Sequence, residues 1–443
     1  MASCRFIDIQ YVEPSEDPAR VNSNNLLGLR PYCFYDEEGM RFEPPSVVEK
    51  GQARCAFCFH EYATFSELYK HTARPCHETL PLSGRSVVVS FAEHRLPLVE
   101  DALAAIGLQT AANPYAEVGG DTHALSFRVD TSLLELTLRR LYLASCTKYN
   151  LDRYYEPLAA LGLTPSSSFL PLDSGHLKLV RALVSTALAS SLGMATRLSN
   201  AELQARQDLE QLIDTHLSTA FPQETIPPLF LKFTTRSPKD AIATAASSEE
   251  DEKTLSREQL MRRKVEALLV RSGEQALELL SRSQRVFADI DLFAQYGLPN
   301  TSSAGLGLVF RTFLPDIRPE LEFRCFVAEG RRMTAMSQYN CFDRFQVLQD
   351  AALVHRIADA IIAAHERVRL SLPPSLPYYV ADFAVLGDPS DPLLPVRLSL
   401  LELNPFGPDL SSGSALFHWQ DDHDLLMGLI PGAPLQVRIL KAE

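Results

Sequence analysis

The sequence predicts an α+β fold, with a small ββα zinc finger and a mixed α/β region ahead of a strand-rich C-terminal half. Three observations carry that prediction. Apolar, β-branched and aromatic runs bounded by turn formers recur after residue 300: LGLVFRTF, LEFRCFVAEG, TAMSQYN, PYYVADFAVLG and VRLSLLELNPFG. A helical pattern, DAALVHRIADAIIAAHER at 350–367, separates the third of these from the fourth. Near the N-terminus, Cys and His residues stand at metal-ligand spacing.

Composition supports a globular chain. Of 443 residues, 46% are hydrophobic and 22% charged, too apolar for disorder and long enough for two to four domains. The net charge of −13 repels phosphate backbones, so general nucleic-acid binding is excluded unless a local basic patch supplies it. No run reaches the ~18 apolar residues that span a bilayer. The N-terminal MASCRFIDIQYVEP has no basic segment followed by an apolar core, so a cytoplasmic protein without a secretory signal is expected. Eight cysteines, mostly scattered, point to a reducing compartment with one local metal site.

Residues 1–50 carry several prolines and little periodicity, and read as an irregular arm. The finger follows at 51–80. Cys55 and Cys58, twelve residues, His71, five residues and His77 match the spacing of a tetrahedral Zn²⁺ site, with Tyr62 and Leu68 at the positions of a finger's small core. Cys76 is an alternative to His77, because Arg74-Pro75 breaks the helix there. A lone finger covers about three base pairs, so a structural or protein-binding role is favoured and a nucleic-acid target stays open.

Residues 81–198 read as the mixed α/β region, with strands at 85–91 and 123–129 and helices at 95–107, 131–146 and 175–195. Its role is not legible. A new pattern starts at Ser199 or Asn200, where Glu202 completes a capping signal for an amphipathic helix to about Leu217. The strand LFLKF follows Pro227-Pro228, then a polar insertion at 246–263 and a helical stretch at 264–283. Residues 427–443 form a tail.

Two groups of residues suggest chemistry. Glu402 and Asn404, two apart in one strand, point to one face, and Asp382 on a neighbouring strand can meet them. Three converging oxygens suit Mg²⁺, although the alternation that gives Leu401 and Leu403 to the core does not say whether the polar face meets a cavity or solvent. Lys232 sits inside an apolar strand and needs an anion, or must snorkel to water. A nucleotide phosphate is one such anion. The loop after it carries Arg236, Ser237, Lys239 and Asp240, and Arg311 and Arg324 sit in further apolar strands.

The ordered motifs LKFTTRSPKDA, FRCFV, MSQYN, ADFAV, LLELNPFG and LFHW, spread over about 199–426, resemble the cell division cycle protein 123 family. The resemblance implies an ATP-grasp fold, two α+β lobes that clamp ATP and Mg²⁺. It further implies a role as assembly factor for eukaryotic translation initiation factor 2, through the factor's gamma subunit. By position, Lys232 and Arg324 meet the phosphates, and Ser237, Lys239 and Asp240 belong to the loop over them. Leu308–Arg311, with Phe310 and Arg311, becomes the hinge that meets adenine. Asp382, Glu402 and Asn404 hold Mg²⁺, and Trp419 matches a family tryptophan. This chain departs from the family at Glu402, where Asp is frequent, and in lacking a tryptophan around Thr235. No lysine occurs between Lys264 and Lys441, so an arginine must replace a second phosphate lysine. An ATP-grasp ligase is the runner-up, and a zinc-finger binding protein with a degenerate nucleotide lobe the third reading. No serine, nor Cys325, lies in a nucleophile motif.

Overall fold

The computed structural model describes residues 7–13, 143, 147–191, 193–223, 225–242, 257–296, 305–328, 332–374, 376, 378–406, 413–419 and 421–442. It also describes the backbone of strands within 33–130. The chain divides into two compact units, Met1–Val21 with Thr147–Asn404 and Ser414–Glu443, and Asn22–Cys146 with Pro405–Gly413.

The chain starts with β1 (Ile7–Val12), inside the stretch expected to be irregular. Its pairing explains the difference, because β1 lies parallel to the last strand of the chain, a partner no local pattern announces. The second unit holds β2 (Cys33–Tyr35), β3 (Arg41–Phe42), β4 (Ala53–Arg54), β5 (Glu61–Tyr62), β6 (Ser86–Ala92) and β7 (Ala124–Asp130). Strands β6 and β7 are the two runs expected there, and they pair in a four-stranded sheet of order β3-β2-β6-β7. Strands β4 and β5 form an antiparallel pair of their own, and Cys55 and Cys58 fall between them in sequence. All four zinc-ligand candidates, Cys55, Cys58, His71 and His77, and the alternative Cys76, lie outside the described residues, as do the expected helix at 95–107 and nearly all of that at 131–146.

The larger unit continues with α1 (Leu151–Ala159), β8 (Ser167–Pro171), α2 (Ser174–Ser191) and α3 (Asn200–Ala220). Helix α3 starts with the predicted capping box. The Ser199 hydroxyl accepts from the Glu202 amide at 3.3 Å, and the Glu202 carboxylate accepts from the Ser199 amide at 2.8 Å. Leu209, Ile213 and Leu217, four apart, form its buried stripe. Then come β9 (Leu229–Phe233), α4 (Arg257–Glu266), β10 (Leu269–Val270), α5 (Gly273–Ser281) and α6 (Gln284–Tyr296). The helical stretch expected at 264–283 is thus split, because Leu269 and Val270 pair with Phe230 and Leu229.

Strands β8, β9, β10 and β11 (Gly307–Thr312) make a sheet of order β10-β9-β11-β8. Its core joins Leu229, Leu231, Phe233, Leu308 and Phe310 to the stripes of α2, α3, α5 and α6. Gly307 is needed where β8 crosses, since a Cβ there would lie 2.7 Å from the Leu170 carbonyl oxygen.

The other sheet contains β12 (Ile317–Ala328), β13 (Arg332–Gln338), β14 (Tyr379–Leu386), β15 (Arg397–Asn404) and β16 (Leu435–Leu440). Its order is β1-β16-β13-β12-β14-β15. Helix α7 (Ala351–Ser371) follows β13, capped by Asp350, whose carboxylate accepts from the Ala352 amide at 2.9 Å. It packs Leu353, Val354, Ile357, Ile361 and Val368 against the sheet core of Phe323, Ala381, Phe383, Leu400 and Val437. The short α8 (His423–Leu426) precedes the expected tail, and the tail carries β16, so it is integral to the sheet. No helix among the described residues is long and apolar enough to cross a membrane.

Candidate functional site

Strand β9 brings Lys232, and β12, β14 and β15 bring Arg324, Asp382, Glu402 and Asn404. The register places Arg324 opposite Asp382 and Asp382 opposite Glu402, so three adjacent strands deliver the charged groups to one side of the sheet. The polar residues therefore face one shared cluster.

The geometry is tight. Arg324 grips Asp382 with two parallel bonds, Nε to Oδ1 and Nη2 to Oδ2, each 2.8 Å. The Lys232 ammonium, buried at 5% exposure, donates to Glu402 Oε2. The Asn404 amide donates to Asp382 at 2.9 Å and reaches Glu402 at 3.5 Å, so it bridges the two carboxylates. Burial pushes the Glu402 carboxyl up, but the Lys232 and Lys239 cations outweigh it and hold Glu402 below the usual carboxylate range. Burial likewise opposes the Arg324 charge, and Asp382 overrides it.

Two further residues belong here that the sequence reading did not single out. Glu322 lies two before Arg324, on the same face of β12, and is half-buried. Burial raises its carboxyl to about 7, against the attraction of Lys239 and with repulsion from Asp382 and Glu402. Tyr339 lies under both cations, with Arg324 4.9 Å and Lys239 5.4 Å from its ring centre and the Lys239 ammonium 3.3 Å from its hydroxyl. The signal for Tyr339 was its place in MSQYN, a motif noted without a role for the ring. For Glu322 it was the spacing of two from Arg324.

Several expected residues stand elsewhere. Ser237 is buried, and its carbonyl accepts from the Lys239 amide at 2.8 Å, so it shapes the loop that carries exposed Lys239. Asp240 turns away from the cluster: its carboxylate accepts from the Ser283 hydroxyl at 2.6 Å and the Arg285 amide at 2.9 Å, fastening the loop to the start of α6. Arg236 similarly pairs with Asp289. Leu308–Arg311, expected as the hinge, lie in the middle of a sheet. Strand β11 is paired along both edges, to β8 and β9, so its backbone groups take part in the two ladders. Phe310 is a core residue, its ring 6.0 Å from the His216 imidazole. The buried Arg311 guanidinium is spent on protein oxygens, Leu401 O at 2.5 Å, Thr164 Oγ1 at 2.9 Å and Ser167 Oγ at 3.2 Å. Trp419 is buried edge-on against Phe326.

The pleat of β15 also differs from simple alternation. The pairing slips between Asp382/Glu402 and Phe383/Leu400, a bulge that leaves Leu401 without a cross-strand partner. Leu400 and Leu403 take the core positions, and Leu401 does not. The phase change keeps Glu402 and Asn404 on the polar side.

An oxygen-only donor set of two carboxylates and an amide suits Mg²⁺, which takes one or two carboxylates and completes its shell with phosphate oxygens and water. Among the described residues no group of three His, Cys, Asp or Glu is placed to hold a metal ion. Lys232, Lys239 and Arg324 place positive charge beside those oxygens. Buried Cys325, whose thiol burial pushes up, is no nucleophile.

Residues 224–428 match the model of the D123 family. Among solved structures, the chain is similar to Cdc123 from Schizosaccharomyces pombe at 18% identity and a TM-score of 0.47, over 67% of this chain and 97% of that one. A C-terminally truncated form of the same protein aligns at 18% and 0.48, over 68% and 98%. D-Alanine-D-Alanine Ligase from Helicobacter pylori aligns at 10% and 0.27, over 65% and 60%. No curated protein sequence matches the chain.

Proposed function

We propose that the larger unit of this chain, whose residues 224–428 match the model of the D123 family, the cell division cycle protein 123 family, binds ATP with Mg²⁺ and serves the assembly of translation initiation factor 2 through the gamma subunit. The observation that carries the binding reading is the interleaving of charge: Lys232 on Glu402, Arg324 on Asp382, and Asn404 between the carboxylates. A ligand bearing both signs, Mg²⁺ on anionic phosphates, can satisfy every one of these groups at once. Asp382, Glu402 and Asn404 would hold the metal, which neutralises phosphate charge when bound. Lys232, Lys239 and Arg324 would take the phosphate oxygens, with Tyr339 as a platform that orients the two outer cations.

The partner assignment is supported by the family alone. For the finger, Zn²⁺ on Cys55, Cys58, His71 and His77, or Cys76 in place of His77, is supported by ligand spacing and by the β4–β5 pair that brackets the two cysteines. Calorimetry of Mg²⁺·ATP binding to wild type and Glu402→Ala tests the site. Measurable binding by wild type, weakened at least tenfold in the variant, is expected, and equal affinities would remove Glu402 from it. Capture of the gamma subunit by the full chain tests the partner, and its absence from the captured proteins would overturn that half of the proposal.

A further inference from the structure

Strand β15 is the edge of its sheet, yet it carries Glu402 and Asn404. An edge strand has a row of backbone groups without a neighbouring strand, and a bulge disrupts the ladder on its other side. A carboxylate that must sit within a fraction of an ångström of a metal needs a more rigid support than that. The structure supplies it from outside the sheet. The Leu400 amide donates to Leu163 O at 2.6 Å. Leu401 O, on the bulged residue, accepts from Arg311. The Tyr154 hydroxyl closes on both backbone groups of Leu403, accepting from its amide at 2.9 Å and donating to its carbonyl at 3.4 Å. Glu402 is thus the residue between two clamped neighbours.

The clamps come from separate places. Tyr154 lies on α1, at 1% exposure among Leu151, Leu158 and Leu163 in the same core. Arg311 reaches from the neighbouring sheet, anchored by Thr164 and Ser167. Burial pushes the Tyr154 phenol up, so it keeps its proton at any working pH.

We infer that Tyr154 and Arg311 are positioning residues for Mg²⁺·ATP, acting through the bulged edge of β15 to fix the Glu402 carboxylate. The inference rests on the ATP reading above. It also gives a role to the stretch around residues 147–171, for which the sequence suggested none: it closes the edge of the metal-bearing strand.

The test compares wild type, Tyr154→Phe, Glu402→Gln and the double variant. Tyr154→Phe removes one oxygen from a packed ring. Expected are a tenfold or greater loss of Mg²⁺·ATP affinity, metal-free ATP affinity within twofold of wild type, and no further loss when Glu402 is already Gln. Without any ligand, deuterium uptake in peptides covering 400–404 should rise in Tyr154→Phe. Unchanged Mg²⁺·ATP affinity, an equal loss in the Glu402→Gln background, an equal loss without metal, or unchanged deuterium uptake would each overturn the inference. Arg311→Lys, which keeps the charge but cannot span the same three oxygens, is read by the same criteria if Tyr154→Phe does not fold. Failure of wild type to bind ATP would instead refute the ATP reading, so the two failures are distinct.

Discussion

Replacing Lys232 by Met tests the site twice, with ligand and without. Without ligand, the side chains of Lys232 and Glu402 are 6% and 21% exposed, and removing one partner from a buried pair typically costs about 3–5 kcal/mol. Here the cost is smaller, because Glu402 retains some water and Lys239 and Arg324 still attract it. Met also fills the space of the lysine stem. A loss of about 1–2 kcal/mol is expected, or a fall of roughly 2–6 °C in Tm. With ligand, the variant lacks one charge-assisted bond to phosphate, worth about 1.5–3 kcal/mol, so Kd for Mg²⁺·ATP should rise ~10- to 150-fold. The pH dependence supplies a further check. Glu402 is held below its ordinary value in the folded chain, so it contributes stability above pH ~4.5 that is lost as pH falls through the folded value. In Lys232→Met that contribution shrinks, and the acid limb of the stability curve should flatten. Calorimetry and thermal melts from pH 3 to 8 measure both effects. A Kd within twofold of wild type would refute the phosphate role of Lys232, and an unchanged acid limb would refute its electrostatic hold on Glu402.

Three other outcomes are expected. Glu322 titrates near 7 when folded and near 4.5 when unfolded, so the folded state binds the extra proton in that window and stability falls as pH rises through it; Glu322→Gln should therefore stabilise at pH 8, by on the order of 2 kcal/mol, and hardly at pH 4.5, and melts showing equal gains at both would refute the burial argument. Metal analysis should find about one zinc per chain, lost in Cys55→Ser/Cys58→Ser, and unchanged zinc in that variant would reject the finger. Release of ADP or AMP by the isolated protein should be slow or absent while ATP raises Tm by mass action, whereas fast turnover dependent on one acceptor and abolished by Lys232→Ala would favour a ligase.

Much of the site was legible because strand chemistry is local. The period of two puts Glu402 with Asn404, and a lysine within LFLKF announces an anionic partner before any contact is known. The capping box at Ser199 and Glu202 and the stripe 209, 213 and 217 are equally local, and they fold as read. Motif position does not reveal the contacts of a residue whose type suits two uses. Arg311 and Asp240 look like phosphate-site residues in sequence, yet they join structural elements, because the oxygens and amides that satisfy them come from segments about 45 to 150 residues away.

The sequence by itself determined the α+β class, the strands that hold Lys232, Arg324, Asp382, Glu402 and Asn404, and the identity of their charges. Tertiary structure decided which charges meet. Lys232 and Glu402 are 170 residues apart, and no local pattern encodes that pairing. The bulge at Leu401 decided which leucines enter the core, since one extra residue inverts the alternation that sequence alone assumes. The placement of β1 beside β16, and of Tyr154 against Leu403, arose the same way. Backbone donors and acceptors on a strand edge take whatever partner the folded chain brings near, and that partner's sequence carries no mark of the choice.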